Sequence, residues 1–117
     1  MRRIVIFPLF ALLLLAGCSD AIGIGSRSVD GDWTARVDGE SIWVTLREDN
    51  RGRITGSGEW GWSQVYITGD RTGSEVYLVF EFDRFSPVTL DGTLRNREID
   101  GRLQGSGYNQ FISLRRE

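Results

Sequence analysis

Chemistry at neutral pH needs side chains that ionise or attack near pH 7, and this chain has few of them. Histidine is absent, every basic residue is arginine, and the one cysteine is Cys18. Without histidine there is no Ser-His or Cys-His pair to activate a nucleophile. There is no Cys/His set for zinc and no imidazole pH switch. The sixteen carboxylates are dispersed over turn signals and one strand face, as at Glu48-Asp49 and Asp83. None forms a spaced acid–base pair or a calcium-loop pattern. No glycine-rich loop precedes a helix in the way a phosphate site requires. The expectation is a protein that is not an enzyme and holds neither metal nor cofactor.

Cys18 has a different context. Arg2 and Arg3 precede an apolar run from Ile4 to Leu15, and the small residues Ala16 and Gly17 follow it. This is the three-part layout of a secretory signal. The run is about 12 residues, short of the ~20 that span a bilayer as a helix. The segment Leu15-Ala16-Gly17-Cys18 resembles the lipobox of bacterial lipoproteins. That resemblance implies cleavage before Cys18, a diacylglycerol thioether on its sulfur and a palmitate-type acyl group on the new α-amine. Two or more buried chains give stable anchoring, at about 0.8 kcal/mol per buried CH₂. In that family, Asp directly after the cysteine favours the inner membrane. Here Ser19 holds that place, so the resemblance implies an outer-membrane anchor facing the periplasm.

The chain then divides into a signal peptide at 1–17, a lipidated cysteine and flexible Gly/Ser-rich tether at 18–30, and one domain at 31–117. Loss of Arg2 and Arg3, with the amine blocked, takes the formal charge from −2 to −4. A mildly acidic domain is a poor fit to nucleic acid.

From Gly31 onward apolar residues recur with a period of two, the signature of half-buried strands. Eight runs stand out, at 32–37, 40–47, 53–60, 64–69, 75–82, 87–95, 98–105 and 110–116. Turn-forming residues separate them: Asp38-Gly39, Asn50 to Gly52, Gly61 to Ser63, Asp70 to Gly73, Asp83 to Ser86, Asn96-Arg97 and Ser106-Gly107. No connection is long enough for a parallel crossover. The expected fold is all-β: after an N-terminal signal helix and tether, an eight-stranded antiparallel up-and-down meander closed into a small barrel. Closure covers the apolar face and removes exposed edges.

Pairing the runs about their turns sets Trp33 opposite Val44, Leu46 opposite Ile54 and Gly58 opposite Ile67. It sets Ile67 opposite Val76, Phe80 opposite Leu90, Leu90 opposite Leu103 and Leu103 opposite Ile112. On the polar face it sets Tyr66 opposite Tyr77 and Asp91 opposite Arg102. Glycines recur on the inner face, at Gly56, Gly58, Gly69, Gly92, Gly101 and Gly105, where they relieve crowding as strands bend.

Gly31-Asp32-Trp33 opens the first strand and Arg115-Arg116 ends the last. This arrangement resembles the calycins, the lipocalin and avidin group of barrels. The resemblance implies that Trp33 plugs the barrel floor with Arg116 across its indole as a cation–π partner. It covers only the two ends of the domain, and the chain is shorter than those proteins. Trp60, Ile67, Leu78, Phe80 and Leu90 are candidate ligand-lining residues. A dry core filled by the same side chains fits the pattern better. On the outer face, Trp43, Tyr66 and Tyr77 are a candidate partner patch, with Trp62 at one turn and Tyr108 near another. The expected function is a lipid-anchored, non-enzymatic binding module for a small apolar ligand or an envelope protein. The alternative is an envelope inhibitor or assembly accessory.

Overall fold

The computed structural model describes residues 28–117. The expected signal peptide, Cys18 and most of the expected tether lie outside the described residues.

Eight strands follow in order: β1 (Gly31–Val37), β2 (Glu40–Glu48), β3 (Arg53–Trp60), β4 (Ser63–Thr72), β5 (Glu75–Phe82), β6 (Val88–Arg95), β7 (Glu98–Gly105) and β8 (Tyr108–Arg116). Each pairs antiparallel with the next, and β1 pairs with β8 to close the barrel. The closing seam is short: Trp33 lies opposite Arg116 and Thr34 opposite Arg115. The Glu117 amide extends it by donating to the Asp32 carbonyl at 2.8 Å.

Alternation decides which side chains go inside, because successive residues of a strand face opposite ways. Val44 and Leu46, Val65 and Ile67, and Val76, Leu78 and Phe80 are all buried. The residues between them, such as Tyr66 and Tyr77, are exposed. The interior is filled by large side chains, Trp33 and Phe80 the largest among those fully buried.

Register is where the structure departs from the sequence reading. The β1–β2 and β6–β7 pairings agree, with Trp33 opposite Val44, Leu90 opposite Leu103 and Asp91 opposite Arg102. Elsewhere the pairing slips by two or four residues. Leu46 faces Gly56 and not Ile54, and Ile67 faces Gly56 on β3. On β5, Ile67 faces Phe80 and not Val76. Leu90 faces Leu78 and not Phe80, and Ile112 faces Gly101 and not Leu103. Every slip is even, so no strand turns its apolar side outward.

The cause is turn placement. Gly61-Trp62 makes the β3–β4 turn, with Gly61 at φ 62°. Strand β4 continues through Asp70-Arg71-Thr72 and turns at Gly73-Ser74. At Asp38-Gly39 and Ser106-Gly107 both turn residues have positive φ, the requirement of the tight hairpin turn whose twist matches its strands. Gly58 packs against the backbone of the preceding strand, β2: a Cβ there would meet the Trp43 carbonyl and lie 2.6 Å from the Val44 Cα.

A second correction concerns the tether. Residues 28–30 belong to the domain, because Val29 is fully buried and its amide donates to Glu48 Oε1 at 3.0 Å. Gly/Ser-rich composition alone does not reveal that one valine in the segment has a socket to fill.

Candidate functional site

An up-and-down meander places alternate turns at the same end. One end gathers the β1–β2, β3–β4, β5–β6 and β7–β8 connections, and the other gathers the chain's entry at residue 28, its exit after Arg116 and the remaining three turns. We call the first the mouth and the second the floor.

The mouth is a cup of aromatic rings. Trp60, at the end of β3, is buried, and its ring centroid lies 5.4 Å from those of Phe80, Phe82 and Tyr108. The planes cross at 89°, 64° and 45°, so the rings wall a space in the edge-to-face manner and do not stack flat. Phe85, in the β5–β6 connection, sets its ring 6.0 Å from Phe82 and nearly perpendicular to it. The rings of Trp60, Phe82, Phe85 and Tyr108, together with Val88 and Trp62, line a cavity of ≈ 280 Å³. Glu40, Ser63 and Ser106 supply its polar wall. Phe85 is 59% exposed and Trp62 fully so. Two rings thus stand at the rim while Trp60 forms the base. Burial raises the Tyr108 phenol above its ordinary pKa, and the negative charges of Glu40 and Asp38 add to the rise. A hydrogen bond with Trp60 opposes the rise.

Of the candidate ligand-lining residues, only Trp60 lines this cavity. Ile67, Leu78, Phe80 and Leu90 are at most 1% exposed and belong to the packed core. The sequence reading placed them correctly on the inner face but too deep along the barrel axis to reach the opening. It also counted Phe82 among the inner residues that could line a cavity, and Phe82 does line this one, but it did not bring Phe85, Tyr108 or Glu40 to the opening. A usable signal was present: Trp60-Gly61-Trp62, Phe82 to Phe85 and Tyr108 all flank odd-numbered turns, which a closed meander must bring to one end.

In the candidate partner patch no two of the aromatics stand directly opposite one another. Trp43 pairs with Glu59, Tyr66 with Glu81 and Tyr77 with Asp70. The expected Tyr66–Tyr77 pair is lost to the four-residue slip at β4–β5. These rings are half-exposed and sit among carboxylates and hydroxyls, as outward strand aromatics commonly do.

The floor is assembled from charge and backbone. Trp33 is fully buried and its indole N–H donates to the Val29 carbonyl at 2.8 Å. The Arg116 guanidinium lies 4.5 Å over the Trp33 ring and donates to the carbonyls of Asp30 and Ser28 at 2.6 and 2.7 Å. Burial lowers the Arg116 pKa, the neighbouring Arg97 charge adds to the fall, and Asp30 opposes it. Beside it, Arg71 donates from Nε to both Glu48 oxygens at 2.9 Å, and from Nη2 to Oε2 at 2.7 Å. This pair raises the Arg71 pKa. Among the described residues no group of carboxylates is placed to hold a metal ion.

Comparison with protein-family models, curated proteins and solved structures finds no match to this chain. Function therefore has to be argued from the geometry of the two ends.

Proposed function

We propose that this protein is a lipid-anchored, non-enzymatic binding module of the bacterial cell envelope, and that the barrel mouth holds a small, mostly apolar ligand. The observation that carries this reading is the aromatic cup: a ≈ 280 Å³ cavity walled by Trp60, Phe82, Phe85, Val88 and Tyr108 above a filled core. Small-molecule sites are concave, mainly apolar and furnished with a few polar groups, and the cup fits the lower end of their size range. The chain enters the domain at the floor. A lipid on Cys18 would hold the floor toward the membrane, about nine residues and roughly 15–18 Å away, with the mouth facing out.

Phenylnaphthylamine, a neutral dye that brightens in apolar surroundings, tests the site. It should bind the purified domain and lose most of its signal in Phe82→Ser or Tyr108→Ser, with the circular dichroism of the barrel retained. Binding that survives both changes removes the mouth as the site. Mass spectrometry of the protein from its host envelope should find Cys18 at the N-terminus carrying acyl mass, and Cys18→Ser should release the protein from membranes.

A second reading rests on Trp62 and Phe85. Both project from the rim in the manner of interface anchors, which suits an inhibitor or assembly accessory that docks another envelope protein. A stoichiometric protein that copurifies, and is lost in Trp62→Ser, would favour it.

A further inference from the structure

We infer that the ligand of the mouth is a small organic cation, an ammonium or similar group carrying apolar substituents. This rests on the mouth being a ligand site. Aromatic rings carry negative charge on their faces, and a cation within about 6 Å of several ring centroids is attracted by all of them. Trp60 meets Phe82 at 64° and Tyr108 at 45°, and Phe82 meets Phe85 at 81°, so these lining rings are not parallel walls of a slot for one flat ring. A lining of this kind, with a carboxylate in its wall, suits an ammonium.

Glu40 is that carboxylate. It lines the cavity, and its Oε2 would lie 3.0 Å from a Cβ built on Gly61, at the turn between Trp60 and Trp62. Its charge reaches the Tyr108 hydroxyl. Glu40 is exposed, so beside a neutral ligand it gains nothing, and it would repel an anion. With a cation the same group becomes an asset.

Among the described residues no ion pair involves Glu40. The three ion pairs among the described residues, Arg71–Glu48, Arg95–Asp100 and Arg115–Glu98, lie in the floor half. The arginines nearest the mouth are Arg36 and Arg84. Arg36 is turned onto its own hairpin, donating to Ser41 Oγ and the Gly39 carbonyl at 3.1 Å. Arg84 lines an adjoining hollow that shares Trp62, Ser63, Phe82 and Phe85 with the cup, and Asp83 lines the same hollow. Asp38, Glu59 and Glu81 add further negative charge at this end. The cavity volume admits a headgroup-sized molecule and excludes a helix or strand.

Choline and phenyltrimethylammonium are the probes. Each is titrated beside its neutral carbon isostere, in which a tert-butyl group replaces trimethylammonium, and binding is read by tryptophan fluorescence and calorimetry. The cations should bind about 10-fold or more tightly than their isosteres. Glu40→Gln should weaken the cations roughly 5- to 20-fold and leave the isosteres within about twofold. Equal affinity for cation and isostere, with phenylnaphthylamine still bound, overturns the charge preference and leaves the mouth site standing. Capture of arginine-rich peptide without choline or phenyltrimethylammonium overturns the small-molecule assignment. Failure of cations, isosteres and dye together removes the mouth reading itself.

Discussion

At the floor, the polar groups that approach the core find partners within the chain. The Trp33 N–H has the Val29 carbonyl, Glu48 holds Arg71 and the Val29 amide, and Arg116 closes on two carbonyls. At the mouth the pattern reverses. Trp62 and Phe85 stand in solvent, and among the described residues no ion pair involves Glu40 or Asp38. A closed meander needs one sealed end, because the closing seam and both chain ends meet there, and polar backbone at those ends must be satisfied. The other end carries no such duty. Its exposed rings cost stability or solubility without sealing anything, which is how a binding surface differs from a structural one.

The contrast breaks most visibly if the floor is opened. Trp33→Ala removes the largest buried side chain of that end and should cost about 3–5 kcal/mol, enough to unfold much of a small domain. Urea unfolding followed by circular dichroism measures it. Trp33→Phe should cost less, since it keeps most of the volume and forfeits mainly the bond to Val29. A Trp33→Ala variant with an unchanged midpoint would mean the floor is not a structural plug.

Removing one partner of the Arg71–Glu48 pair comes next. Their side chains are only 18% and 5% exposed, so Glu48→Ala leaves a nearly enclosed guanidinium and an orphaned Val29 amide. The expected loss is about 2–3 kcal/mol, discounted from the fully buried case because Arg71 still reaches water. Val29→Ser follows, at roughly 1.5–3 kcal/mol for the apolar burial lost. Both are read from the same unfolding curves.

The mouth should behave oppositely. Trp62→Ser and Phe85→Ser should each move the unfolding free energy by less than about 0.5 kcal/mol, while dye or cation binding falls severalfold. A large stability loss with binding intact would make the rim structural and dissolve the distinction between the two ends.

Those expectations also mark how far the residues alone could be read. The faces were legible because a period of two is carried redundantly: Val65, Ile67, Val76, Leu78 and Phe80 all vote for the same side. The registers were not, because several residues in each connection can turn. In Asp70-Arg71-Thr72-Gly73 the first three look turn-prone. Arg71 is instead held in β4 by Glu48 across the floor and by its amide bond to the Gly52 carbonyl, contacts between residues far apart in sequence. The hairpins at Asp38-Gly39 and Asn96-Arg97 were placed correctly because each offers one short turn. The mouth was partly hidden for a related reason. Its rings lie on three separate hairpins, and only the counting of turns around a closed barrel brings Trp60, Phe82, Phe85 and Tyr108 together.

The finest test of the contrast is electrostatic. Burial together with Glu40 and Asp38 raises the Tyr108 phenol above its ordinary value of 10.0. A group whose pKa is higher folded than unfolded holds its proton longer in the native state. Its contribution to stability is complete below the unfolded pKa and is lost as pH rises through the folded one. The difference between the alkaline ultraviolet titrations of the native protein and Tyr108→Phe isolates this one phenol. Its midpoint should lie above 10.0, and Glu40→Gln should bring it down. A midpoint at or below the ordinary value would mean that the mouth is neither dry nor negative at Tyr108. A raised midpoint that Glu40→Gln leaves in place would assign the shift to burial and Asp38, and the Glu40 carboxylate would then lose its claim to set the charge of the ligand.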